Sequence, residues 1–399
     1  MSFVRLDLRS RRPERLSATD LPNRPVLLTE IYPFARKRSR LGMDWVEIEI
    51  KLMLIMGREV TFAGSTLLKD AFIQRLFDRN IEFFSRGLIV PDLNSNCEGF
   101  EDRLAQYPGG NPKSQDRIRA RRLDENVRRV ISFEPDRVSS SYVQGLIVYL
   151  KKRLEDGSSK PGAERFEKLI EELRNTDGPL SLRRVSELCR LVPEWQQVSK
   201  MGEFLYCCTG AEVVGADALY SKHYKEAQVQ FGLVEGVSQP DLELVAAESL
   251  FEFFAIDWRK LASLSPKSVL ELRDDARIRH GVHALEKLVQ EVRTKVAEGG
   301  SGGDGRLSIQ NAADELRVRI EEACERQARR ESILSSTSDA VYDMSGIPFS
   351  SLVKKSVAKL ASWFAKSKTL GGVARPLTPL TSFASIIHDK LRGKHESNI

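Results

Sequence analysis

Two heptad-spaced apolar rows flank one glycine-rich break, and this constrains the chain more than any other feature. The first row is Ile278, Val282, Leu285, Val289, Val292 and Val296; the second is Ile309, Ala313, Leu316, Ile320 and Ala323. Steps of four and three place each row on one seam of a helix. The intervening Glu298-Gly-Gly-Ser-Gly-Gly-Asp-Gly305 continues neither helix, because its glycines lose too much conformational freedom on ordering. The spacing predicts an antiparallel, coiled-coil-like helical hairpin over residues 265–334. Apolar character fades at Gln327 and Arg330 in the second row, and Glu271 and Asp275 hold the same register in the first, so the arms match best near the tip. About 20 residues per arm, at a rise of 1.5 Å, predict a projecting arm about 30 Å long, a surface suited to self-association.

A chain of 399 residues, 41% hydrophobic and 30% charged, is globular and large enough for more than one core. Its longest early apolar run, Leu52 to Met56, falls far below the roughly 20 residues that cross a bilayer, which argues against an integral membrane protein. Met1 to Leu16 lacks the apolar stretch of a signal peptide, and Asp7 and Glu14 argue against a transit peptide. The five cysteines, Cys97, Cys189, Cys207, Cys208 and Cys324, are scattered and odd in number, as suits a reducing compartment. A cytoplasmic location follows as the expectation, with peripheral attachment to a membrane through the tail described below.

Taken in order, residues 1–100 read as a small α/β unit. Strands are expected over Pro25 to Tyr32, over residues 46–54, over Glu59 to Ala63 and over Gly87 to Pro91, with a helix from Ser65 through Phe77. The strand at 46–54 rests on alternation: Val46, Ile48, Ile50, Leu52 and Leu54 against Glu47, Glu49 and Lys51. Residues 101–136 read as a polar linker broken at Pro108-Gly-Gly-Asn-Pro112. A helical body follows over 137–264, with Ala211 to Phe231 as one helix and Asp241 to Leu264 as the core helix; the hairpin occupies 265–334. Residues 335–399 form a linker and a basic two-helix tail. The fold class is mainly α.

The tail concentrates the charge. Residues 350–399 carry nine Lys and Arg against two acids, a net of +7, while the whole chain sums to +6. On a helical wheel Leu352, Val353, Val357, Leu360, Trp363 and Phe364 share one side and Lys355, Lys359 and Lys366 the other. After Pro376, Thr378-Pro379 starts a second amphipathic helix with Leu380, Phe383, Ile387 and Leu391. An apolar face with aromatic rings beside lysines suits an anionic lipid surface or an acidic protein, so Lys355, Lys359, Trp363, Phe364 and Lys366 are the expected binding residues.

Three other constellations bear on function. Glu49-Ile-Lys51 with Glu30 resembles half of a metal-dependent nuclease site, in which carboxylates hold a cation and lysine orients water. The bland account is that alternation alone puts Glu49 and Lys51 on a wet strand face. A basic run, Arg117-Ile-Arg-Ala-Arg-Arg122 with Arg128 and Arg129, could follow phosphates, but Asp116, Asp124 and Glu125 dilute it and no aromatics interleave. His280 and His283 lack a third ligand. The sequence therefore reads as a non-enzymatic interaction or adaptor protein whose cationic tail docks on an anionic membrane or acidic partner, in its sharper form as a membrane-perturbing effector. The nuclease is the alternative, with Glu30, Glu49 and Lys51 as catalytic candidates, and a nucleic-acid-binding helical protein ranks third. Neither a metal site nor a cofactor is implied.

Overall fold

The structure, a computed structural model, describes residues 12–16, 24–29, 43–106, 112–134, 137–155, 163–175, 181–192, 195–220, 238–299, 312, 314–324 and 379–396. These are mostly helical, with a small parallel sheet. Contacts divide the chain into two units, residues 1–53 with 58–240 and residues 54–57 with 241–399.

The first unit holds the sheet. Its strands are β1 (Glu14–Leu16), β2 (Val26–Leu28), β3 (Val60–Thr61), β4 (Asp92–Asn94), β5 (Arg129–Phe133) and β6 (Asp217–Leu219). They pair as β1-β5-β4 and as β3-β2-β6, every pair parallel. Parallel bridges Val60 to Ile89 and Ala63 to Asp92 join the two groups, so the order across the sheet is β1-β5-β4-β3-β2-β6. Parallel neighbours need crossover helices. Those of the first half are α1 (Met43–Ile55), α2 (Gly64–Lys69), α3 (Ala71–Ser85), α4 (Phe100–Ala105) and α5 (Ser114–Asn126). The return from β5 to β6 runs through α6 (Ser140–Glu155), α7 (Ala163–Asn175), α8 (Leu182–Cys189) and α9 (Trp195–Val214).

Among the described residues, two apolar clusters of this unit stand out. Leu27, Val90, Ile131 and Ala218 present one face of the sheet to Ala211 and Val214 at the end of α9. Farther out, Tyr142, Leu146, Leu150, Leu169, Leu188, Met201 and Phe204 close the α6–α9 layer on itself. Charge secures the amino ends of the strands. Arg58 meets Asp217 at 2.5 Å across the start of β2, and Arg129 meets Glu59 at 3.1 Å.

Residues 43–55 correct the sequence reading: they form a helix, not a strand. From Val46 to Met56 every residue is buried, including Glu47, Glu49 and Lys51 at 3–4% exposure. A helix buried all round has no wet face for its pattern to report, so the period-two alternation carried no information about backbone state. Partners at i and i+4 state the true period: Lys51 Nζ donates to Glu47 Oε2 at 3.1 Å and Trp45 Nε1 to Glu49 Oε1 at 2.9 Å. Strand β5 lies in the stretch read as linker, and β6 lies inside the helix expected over 211–231.

The second unit is helical: α10 (Gln239–Phe253), a 3-10 turn (Trp258–Ser263), α11 (Pro266–Asp274), α12 (Ala276–Gly299), α13 (residues 314–324) and α14 (Pro379–Glu396). Ser265 caps α11 by accepting from Ser268 N, with Pro266 at the first helical position. Of the expected seam, Ile278, Val282, Leu285, Val289 and Val292 are buried on α12, and Leu316 and Ile320 on α13. Ion pairs join Lys295 to Glu315 at 2.7 Å and Arg319 to Glu291 at 3.2 Å. The base of α12 does not project. Gly281 lies against Phe383 of α14, whose ring stacks on Phe251 with centroids 6.0 Å apart. Lys390 of α14 also pairs with Glu271. The second helix of the tail is thus part of this unit's core, with Leu380, Phe383, Ile387 and Leu391 buried.

Four helices end in the same double turn, in which the chain reverses through a left-handed residue. Gly57, Gly87 and Gly215 take that position at φ 82°, 70° and 68°, and Ala255 takes it at φ 51°. At the last of these, Ile256 N donates to Phe251 O at 2.8 Å and Ala255 N to Glu252 O at 3.0 Å. A β-carbon in this conformation costs roughly 1 kcal/mol. Ala255→Gly should therefore stabilise the second unit by up to about 1 kcal/mol, read as a rise of roughly 2 °C in Tm.

Candidate functional site

The carboxyl end of the sheet gathers neutral and half-neutral polar groups. Open parallel sheets bind ligands outside the carboxyl ends of their strands. Here β4 ends as Asp92-Leu-Asn94, and residues two apart on a strand share a face. Both residues are 7% exposed. Asp92 Oδ1 accepts from Gly64 N at 3.0 Å. Among the described residues, Asp92 Oδ2 and the Asn94 amide meet no hydrogen-bonding partner. Burial pushes the Asp92 carboxyl up to about 7, against the opposing pull of the Gly64 N–H and the Arg103 guanidinium.

Gly64 is required by the approach that makes this possible. A β-carbon on it would overlap the carbonyl oxygen of Asp92 and lie 3.3 Å from the Phe100 ring. The turn from β3 into α2 can therefore press directly onto β4, which carries its N–H to the carboxylate.

Side chains from several elements fix the loop after β4. Arg15 on β1 donates to Ser95 O at 3.1 Å and Asn94 O at 3.4 Å. Asp102 on α4 accepts from Glu98 N at 2.9 Å, and Gln106 donates to Asn96 O at 3.4 Å. Cys97 Sγ lies 3.2 Å from Gln106 Oε1, and burial raises its thiol, which makes it a poor nucleophile. These bonds tie the loop after β4 to both α4 and β1.

Of the catalytic and binding residues expected from sequence, only Glu49 and Lys51 are among the described residues. Glu30, Lys355, Lys359, Trp363, Phe364 and Lys366 fall outside the described residues, as does the glycine-rich tip at 300–305. Glu49 and Lys51 are on α1, and Glu47 there also receives Arg79 at 3.1 Å, so the strand that was to carry the nuclease half-site does not exist. The basic run on α5 is largely neutralised: Arg119 pairs with Asp116, Arg121 with Glu101 and Arg122 with Asp78. His283 is a solvated side chain 3.7 Å from Glu286. Among the described residues no three His, Cys, Asp or Glu gather to hold a metal ion, and no helix is long and apolar enough to cross a membrane.

The sequence alone does not reveal Asp92 and Asn94, because Pro91 marks the expected end of the strand. The signal was the apolar run Leu88-Ile-Val90 leading into Asp-x-Asn and then a Ser-Asn-Cys-Glu-Gly turn, a strand whose polar end faces a loop. No family model, curated protein or solved structure matches the chain.

Proposed function

We propose that the first unit binds a small polar ligand of nucleoside or nucleotide size at the carboxyl edge of its sheet, with Asp92 as a proton-exchanging carboxylate and Asn94 as the orienting amide. One observation carries the reading: Asp92 and Asn94, residues more than nine-tenths buried on one face of β4, keep hydrogen-bonding capacity, beyond the bond from Gly64 N to Asp92 Oδ1, that no described residue takes up. Positions two apart on a strand are about 6.6 Å apart, so the ligand must present polar groups over a similar span. A nucleoside does so between its sugar hydroxyls and its base.

Thermal unfolding of the full chain with adenosine, AMP, uridine or UMP tests this. One of them at about 100 times its Kd should contribute roughly 2.7 kcal/mol, which raises Tm by several degrees, and Asn94→Ala should remove the rise. No shift with any of the four, or an equal shift in Asn94→Ala, would overturn the reading.

A second role concerns the helical part. The ion pairs 295 with 315 and 291 with 319 sum to one constant, the signature of antiparallel neighbours, and support the coiled-coil-like hairpin over 265–334 as a surface for self-association. Residues 350–378 hold six Lys and Arg and no acid, between α13 and the packed α14. This charge supports docking of Lys355, Lys359, Trp363, Phe364 and Lys366 on an anionic membrane. Full-length protein should float with anionic but not neutral liposomes, and replacing those three lysines with alanine should abolish flotation. Equal recovery from both lipids would end this second reading.

A further inference from the structure

Asp92 is held by a chain of contacts that begins on α5. The Asp124 carboxylate there, 8% exposed, accepts from Phe100 N at 2.8 Å and Glu101 N at 3.1 Å, the first amides of α4. Gly99 makes room for it, since a β-carbon at 99 would stand 2.6 Å from Asp124 Oδ1. The clip sets the position of Phe100, whose fully buried ring comes within 3.3 Å of where a β-carbon of residue 64 would be. Gly64 in turn holds Asp92 by its N–H. Each link is short, and each joins backbone or buried atoms rather than mobile side-chain ends.

We propose that Asp124 is a positioning residue for the Asp92–Asn94 site, acting through the first turn of α4, Phe100 and the Gly64 turn. The proposal rests on the reading of that site given above. Loosening the clip lets α4 and the Gly64 turn move off β4, which wets Asp92 and weakens its one hydrogen bond. Arg103 on α4, which lowers the proton affinity of Asp92, moves with the same helix and acts the other way, but burial is the larger cause. An ordinary helix cap would behave differently: losing it would remove the cap's own pH-dependent contribution, since burial raises the proton affinity of Asp124, and leave that of Asp92 where it was.

The experiment is the pH dependence of Tm from pH 4 to 8 for the full chain, with Asp92→Asn marking the profile that lacks the Asp92 titration. In Asp124→Asn the Asp92 contribution should move down by about one pH unit, because the wetted carboxyl returns toward its ordinary value. Phe100→Leu, which leaves the clip intact and loosens the next link, should move it in the same direction, and carries the test if Asp124→Asn does not fold. Asp124→Asn also removes the titration of Asp124 itself, so Phe100→Leu decides: a uniform drop in Tm with an unmoved profile in that variant would overturn the positioning role. A profile in Asp92→Asn identical to the native one would instead remove the site reading itself.

Discussion

Gly64→Ala should destabilise the first unit by about 3 kcal/mol, because the new methyl group has no space that a side chain could vacate. Its β-carbon would overlap the carbonyl oxygen of Asp92, which is strand backbone engaged with its neighbours, with the buried Phe100 ring behind it. The turn must therefore lift off β4 and give up the 3.0 Å bond from Gly64 N to Asp92. Thermal or urea denaturation should show the loss as a fall of roughly 6–12 °C in Tm. The same variant should bind none of the four nucleosides and nucleotides. An unchanged Tm would mean that the turn tolerates a side chain and that the close approach has no role.

Gly281→Ala should also destabilise, by about 2–3 kcal/mol, although the same change in an exposed helix interior would gain about 1 kcal/mol. On α12 the added carbon would collide with Phe383 Cβ and stand 2.8 Å from the carbonyl oxygen of Pro379. Both belong to the first turns of α14, so the two helices must separate there. The reversed sign makes this a clean measurement. Hydrogen exchange in α14 should accelerate, and limited proteolysis should cut between residues 325 and 378 more readily. Stabilisation in this variant would show that α12 and α14 do not rely on close contact.

The pH profile gives the candidate site a test without a ligand. The Asp92 carboxyl ionises at about 7 when folded against an ordinary value of 3.8, so the folded chain holds this proton more tightly than the unfolded chain. Its contribution is fully favourable below about pH 4, declines by roughly 1.4 kcal/mol per unit as pH rises toward 7, and is constant above. Asp92→Asn should match the native protein near pH 4 and exceed its Tm at pH 8, since Asn keeps an acceptor for Gly64 N–H and removes the buried charge. A carboxylate present only to cap the turn would give the opposite result at pH 8.

Little of that site could be read from the residues in order. Asp92 meets Gly64 across 28 positions, and Asp124 meets Phe100 across 24. Neither pair has a local signature, and the polar pair of β4 looks like turn chemistry until the strand is seen to continue past Pro91. The helix at 43–55 departs from its sequence pattern for a related reason. Its apolar residues alternate, and its polar ones are buried among them, so the pattern suited either backbone.

What the sequence determined by itself was local and periodic. The Ile278 to Val292 seam, the Leu380, Phe383, Ile387 and Leu391 face of α14, and the Ser265-Pro266 start of α11 follow from contacts within one or two turns, where spacing alone decides which side chains meet. Only tertiary structure decided the parallel sheet, whose named strands run two to five residues and pair through neighbours as far apart as β2 and β6. It also decided that a fully buried segment would be helix, and that Asp92 would lie under Gly64. The physical reason is common to all three: their stability comes from contacts made between distant segments, and no window of sequence contains both partners.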